Sequence, residues 1–253
     1  MTGLSDIDDV ERIASGIDGW LSEIEGRRLY ELARHVDPAT CIVEIGSWQG
    51  KSTVWLAAGA RAGRGAGVVA IDPHEASALH ADGESTEQAL RRNLELAGVT
   101  DAVEVVVATS EEAVVGWKRP IGLLWIDGDH SYESVRRDFL LWEGHVVERG
   151  VVALHDTVDW DGPRQVVSRY LKGSSRYVVL AYADTITHAT RRSCPTAGEL
   201  LRKRLSIVER SLYEARVRAY DENKLHFADV LDIVDRRGRR RRRGSSPRLT
   251  EDD

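Results

Sequence analysis

Four short apolar runs in this chain end in acidic residues, and that pattern limits the fold more than any other feature. Cys41–Ile45 carries Glu44 near its end, Gly67–Asp72 ends in Asp72, Gly122–Asp127 ends in Asp127, and Val151–Leu154 runs into His155-Asp156. Runs of four to six residues rich in Val, Ile and Leu are the signature of strands buried on both faces. Helix-compatible segments separate them, so the expected class is α/β, a mostly parallel sheet with helices on both faces. Ligands of such sheets sit outside the carboxyl ends of the strands, where Glu44, Asp72, Asp127 and Asp156 all fall. Chance would scatter acids to both ends.

The first strand leads into the turn Gly46-Ser47-Trp48-Gln49-Gly50, and a helix-compatible run, Thr53–Ala60, follows. Glycines let backbone approach a ligand, and a helix N-terminus offers free N–H groups. A dinucleotide turn needs G-x-G-x-x-G, but Trp48 stands where the second glycine belongs. A P-loop needs four residues between its first glycine and Gly-Lys-Ser; here only Ser47, Trp48 and Gln49 precede Gly50-Lys51-Ser52. The remaining pattern is E-x-G-x-x-x-G, Glu44 to Gly50, whose carboxylate suits a ligand with a cationic amino acid end better than a triphosphate.

Other segments read as follows. Met1–Pro38 is helical, with Ile17, Trp20, Leu21 and Ile24 at helical spacing and then Leu29, Leu32, Ala33 and Val36. His74–Ser85 is a polar loop, Thr86–Ala97 a helix capped by Ser85, Ala102–Val107 a strand, and Ser110–Trp117 a helix. Glu133–Val147 and Pro163–Leu171 are helices, and Tyr177–Ala181 and Ile186–Thr190 a strand pair turning at Asp184. Residues 196–234 are amphipathic, which raises an expectation of self-association through C-terminal helices. Arg236–Arg243 is an arginine run expected to be a disordered, solvated tail.

The 253 residues suit one domain with appendages, and the net charge of −6 argues against nucleic acid as partner. Cys41 and Cys194 form no metal or redox spacing, no apolar run approaches a membrane span, and the acidic N-terminus is no signal peptide, so the expected compartment is the cytoplasm.

The segments Glu44–Gly50, Ala70–Pro73, Trp125–Tyr132 (WIDGDHSY) and Ala153–Thr157 (ALHDT) together resemble class I S-adenosylmethionine (SAM)-dependent methyltransferases. They are most similar to the metal-dependent O-methyltransferases that include antibiotic-sugar and other sugar O-methyltransferases. The resemblance spans about Gly26 to Thr190. It implies a Rossmann-like seven-stranded sheet with an antiparallel last strand. The chain is then expected to divide into an N-terminal helical cap (1–38), a SAM-binding core (39–192), C-terminal amphipathic helices (193–235) and the arginine-rich tail (236–253).

For the site, the resemblance implies that Glu44, Gly46, Ser47, Gly50, Ser52, Asp72, Ser110 and Asp127 bind SAM, with Asp72 on the ribose and Ser110 near adenine. It assigns Asp127 and Asp156 to a divalent ion, Mg²⁺ with Mn²⁺ as the alternative, and His130 to general base catalysis beside Asp127. The family usually has an acid just before the second metal ligand; His155 stands there in this chain and becomes the candidate third ligand. Asp129 could instead fill that place or cap the next helix. The expected reaction is O-methylation of a sugar or glycoside hydroxyl. A catechol-like or other small hydroxylated metabolite is the alternative, and a P-loop-like NTPase the rival from another class.

Overall fold

The structure is a computed structural model, and it describes residues 6–75 and 85–221. Most of the polar loop expected after His74 and all of the arginine run lie outside the described residues, as does the amphipathic stretch past 221. The chain divides into a unit of residues 1–203 and a second of residues 204–253.

The first unit is built on a seven-stranded sheet. Its strands are β1 (Cys41–Ile45), β2 (Gly67–Asp72), β3 (Val103–Val107), β4 (Ile121–Ile126), β5 (Val146–Leu154), β6 (Tyr177–Ala183) and β7 (Ile186–Arg191), in spatial order β3-β2-β1-β4-β5-β7-β6. The first five pair in parallel, and β7 runs antiparallel to both β5 and β6. The reversal of strand order at β1 and β4 opens a crevice above their carboxyl ends.

Helices α1 (Ile7–Ala14), α2 (Glu23–Arg34), α3 (Lys51–Ala62) and α4 (Thr86–Leu96) bury Val10, Leu29, Tyr30, Trp55, Leu56 and Leu90 together with Ile42, Val68, Leu123 and Trp125 of the sheet. The one-turn α5 (Ser110–Ala113), α6 (Tyr132–Trp142) and α7 (Asp161–Val166) follow β3, β4 and β5, and α7 widens into a π-type turn over Val167–Lys172. Phe139 of α6 packs against Tyr170 and Tyr177, and Trp142 against Trp117. The helix α8 (Ala197–Asp221) begins in the first unit.

Three expected elements differ. The helical spacing from Ile17 breaks over residues 17–22, where Gly19 adopts φ +137° and Trp20 is exposed, and resumes only in α2 with exposed Ile24. The helix after Asp127 stops at Trp142, and β5 starts at Val146, which pairs with Ile121. An irregularity in that pairing, with Arg149 at φ +67°, carries the strand past the Arg-Gly pair that reads as a loop. The helix at Ser110 is cut to one turn ahead of Gly116, which takes φ +74°.

Candidate active site

A cleft of about 1050 Å³ lies over the carboxyl ends of the parallel strands. Its floor is the turn after β1. Gly46 has φ +88°, and a Cβ there would fall 2.2 Å from the Asp127 carbonyl oxygen, so only glycine lets β1 and β4 end side by side. Trp48 is left-handed at φ +42°, a costly conformation for a bulky residue. Its N–H donates to Asp72 Oδ2 at 2.9 Å, and its ring stacks on exposed Trp20 at 5.2 Å. Asp72 Oδ1 accepts from His74 N–H, so the acid at the end of β2 braces both turns while lining the cleft.

The cofactor candidates do not all face the cleft. Gly46, Ser47, Ser52, Asp72, Ser110 and Asp127 line it. Ser47 Oγ is buried with no protein hydrogen-bond partner, an orphaned polar atom in the wall that a polar ligand would satisfy. Gly50, at φ +88°, starts α3. Glu44 shares the parity of Ile42 on β1, and alternation along a strand turns it away from the cleft and onto α3. There it is fully buried and accepts from Ser52 Oγ (2.5 Å) and Thr53 Oγ1 (2.6 Å). Burial, outweighing those two bonds, pushes its carboxyl up to about 8. Lys51 Nζ donates to Gly19 O at 3.0 Å. The two side chains that imitate a phosphate loop, Lys51 and Ser52, are thus bonded within the protein.

At the ends of β4 and β5 four ionisable side chains meet. His130 Nε2 is 2.8 Å from Asp156 Oδ2, and His155 Nδ1 is 2.9 Å from Asp127 Oδ1 and 3.3 Å from Asp156 Oδ2. The other nitrogen of His155 stands 3.3 Å from Glu25 Oε2 without hydrogen-bond alignment, a Coulombic contact. Burial opposes a charge on His155, but Asp127, Asp156 and Glu25 outweigh it and hold the ring protonated. Asp127, partly buried, is pushed up by burial despite His155. Asp156 is held well below the usual range: burial opposes this, and His130 and His155 overcome it. The bond to Asp156 raises His130. Both nitrogens of His155 thus face carboxylate oxygens. The donors that do converge are Asp127, His130 and Asp156, with one ligand atom each, all within 4.8 Å of one another.

Glu25 is the residue that the sequence pattern hides. It completes a capping box with Ser22 at the start of α2, which accounts for it locally. It also accepts from Thr185 N–H (3.0 Å) and Thr185 Oγ1 (2.6 Å), and Thr185 Oγ1 lies 3.3 Å from the Asp156 N–H. Asp156 sits at φ +54°, a strained position at the heart of the cluster. Across the mouth, exposed Trp160 stacks on His130 at 4.5 Å.

Comparison with known proteins agrees with this architecture. Residues 43–157 match the family model described as "Methyltransferase domain". A catechol O-methyltransferase of Mycobacterium tuberculosis is 33% identical over 155 residues, 61% of this chain; the chain spans 61% of that relative's length. Among solved structures, an O-methyltransferase from Bacillus cereus in complex with S-adenosylhomocysteine (SAH) aligns with TM-score 0.52 and 22% identity, covering 76% of this chain and 93% of that one. The O-methyltransferase NovP aligns with TM-score 0.57 and 17% identity, covering 68% and 81%. In the order of its seven strands the chain has the Rossmann-like fold of the class I methyltransferase structures, and residues 43–157 within it match the methyltransferase domain model.

Proposed function

We propose that this protein is a SAM-dependent O-methyltransferase that acts with a divalent ion on a hydroxyl of a small ring-shaped acceptor, a sugar or glycoside first. The observation that carries the reading is the meeting of Asp127, His130 and Asp156 at one end of a cleft floored by the Gly46–Gly50 turn. Catechol-like acceptors are the second reading, favoured by the name of the curated relative. Trp20 and Trp160 line the cleft from two sides, and aromatic faces suit either kind of ring.

SAM supplies an electrophilic methyl on a sulfonium, and a divalent ion lowers the pKa of a bound hydroxyl. The donors fit a hard cation: carboxylate oxygens of Asp127 and Asp156 would hold Mg²⁺ or Mn²⁺. His155, charged and set between them, restrains the mutual repulsion of the two acids. In the tautomer that donates Nε2–H to Asp156, His130 carries its lone pair on Nδ1 and takes the acceptor proton there. SAM, when bound, would supply the methyl to the acceptor oxygen, its sulfur keeping both electrons of the broken carbon–sulfur bond. Trp160, stacked on His130, restricts the ring to one plane. His130 has one lone pair, so service as a metal ligand through the same nitrogen would exclude the base role.

Methyl transfer from labelled SAM should be measured against hydroxylated sugars and catechols, with Mg²⁺ and with EDTA. Asp127→Asn is expected to abolish transfer while SAH still binds by calorimetry. Full transfer in EDTA would refute the metal assignment, and no transfer to any hydroxyl would refute the reaction class.

A further inference from the structure

The helix α8 presents an exposed apolar stripe that the chemistry of the cleft does not use. Leu201, Leu205, Val208 and Leu212 recur at spacings of four, three and four, and each is more than half exposed. Ala215, also exposed, continues the series three residues on. At 3.6 residues per turn these five side chains fall within about 80° of arc, one narrow seam along the helix. Spacings that alternate four and three mark the a and d positions of a heptad. Leu205 and Leu212 then stand at a, and Leu201, Val208 and Ala215 at d. Exposed apolar side chains are ordinarily scattered singly, whereas a seam of this period is what one helix offers another.

The charges beside the seam say which helix that is. Arg204 stands at g, ahead of Leu205, and Glu209 at e, after Val208. Both are exposed, and neither has an ion pair among the described residues. They lie on opposite flanks of the seam, so they do not reach each other within one helix. In two parallel helices a g residue of one meets the e residue five positions on in the other. Arg204 then meets Glu209 of the second copy, and two-fold symmetry makes that contact twice. Arg202, also at e, falls opposite Ala197 and meets no like charge. An antiparallel pair centred on Val208 would instead set Glu209 against its own copy.

We propose that α8 pairs in parallel and in register with α8 of a second copy of this chain, the crossed Arg204–Glu209 contacts selecting both the partner and its direction. The proposal is independent of the reaction and of the bound cofactor. The seam is about two heptads long, so the association is a weak, reversible one that follows concentration.

Sedimentation equilibrium of the full chain at low ionic strength, over about 1 to 100 μM, tests it. The wild type is expected to pass from the mass of one chain to twice that mass or more. Leu205→Asp combined with Leu212→Asp, both at exposed positions, should hold it at one. Arg204→Glu alone, or Glu209→Arg alone, turns both contacts into like-charge pairs. Each should weaken association about tenfold, since two small attractions become repulsions of similar size. An equimolar mixture of the two single variants restores both contacts between unlike chains and should associate within about threefold of wild type, a recovery that damage to the fold cannot produce. If the aspartate variant does not fold, the charge variants carry the test alone. A wild type of one-chain mass at about 100 μM overturns the proposal, the result expected if the apolar-rich stretch 225–234 of the same chain covers the seam. Association that survives the aspartate variant overturns the seam as the interface. Single reversals without effect, or a mixture that stays dissociated, overturn the parallel pairing.

Discussion

Replacing Glu44 with glutamine should leave the protein more stable than the wild type in mildly alkaline solution and no more stable in acid. Glu44 has no exposed surface, and burial, helped by the charges on Asp127 and Asp72, pushes its carboxyl from 4.5 to about 8 against the bonds from Ser52 and Thr53. Between those values the folded protein holds a proton that the unfolded chain has released. This stabilising contribution is complete below pH 4.5, declines as pH rises, and is gone above about 8. At about 1.4 kcal/mol per pH unit, the difference between 4.5 and about 8 amounts to about 5 kcal/mol. Glutamine does not titrate. Its carbonyl accepts one of the two hydroxyls and the other hydroxyl rotates to accept its amide, so the variant should lose only about 1 kcal/mol in acid. Urea unfolding followed by tryptophan fluorescence at about pH 5 and about pH 8.5 reads the difference. The stability of Glu44→Gln relative to wild type should climb by several kcal/mol between the two. A gap that stays constant, or that favours the wild type more at the higher pH, would mean that Glu44 is ionised in the fold, and the argument from burial would fail.

Two further substitutions test the site. Glu25→Gln removes one of the three anions around His155 while its amide oxygen still accepts from Thr185. Transfer should slow by about tenfold or more with SAH affinity unchanged, and an unchanged kcat would show that the brace is dispensable. Gly46→Ala drives a methyl against the Asp127 carbonyl at a left-handed φ. It should cost about 2 kcal/mol or more in denaturant unfolding and abolish SAH binding; a stable variant that binds SAH would contradict the geometry.

The sheet was legible because acids punctuate the strands. Asp72, Asp127 and Asp156 each close an apolar run, and all three line the cleft. Directions of side chains were less legible. Glu44 lies one residue from the end of β1, and that single step of alternation sends it beneath the turn instead of into the cleft. The sequence alone makes His155 a candidate metal ligand, but what its ring faces depends partly on Glu25, which sits 130 residues away and reads locally as nothing more than a helix cap. The start of β5 was hidden for a similar reason, since Val146 and Val147 continue a helical pattern until pairing with β4 decides otherwise.

The bond between Glu25 and Thr185 also sets an order of events during synthesis. It joins residues 160 positions apart. The Gly46 turn, Asp72 and Asp127 leave the ribosome long before Thr185 does, so a nascent chain can assemble the floor of the cleft while the charge cluster still lacks its brace. A chain stalled before Thr185 would therefore hold the floor of the cleft without the brace on its charge cluster. Its last strands act as a latch on a site whose visible chemistry is written in the first two-thirds of the polypeptide.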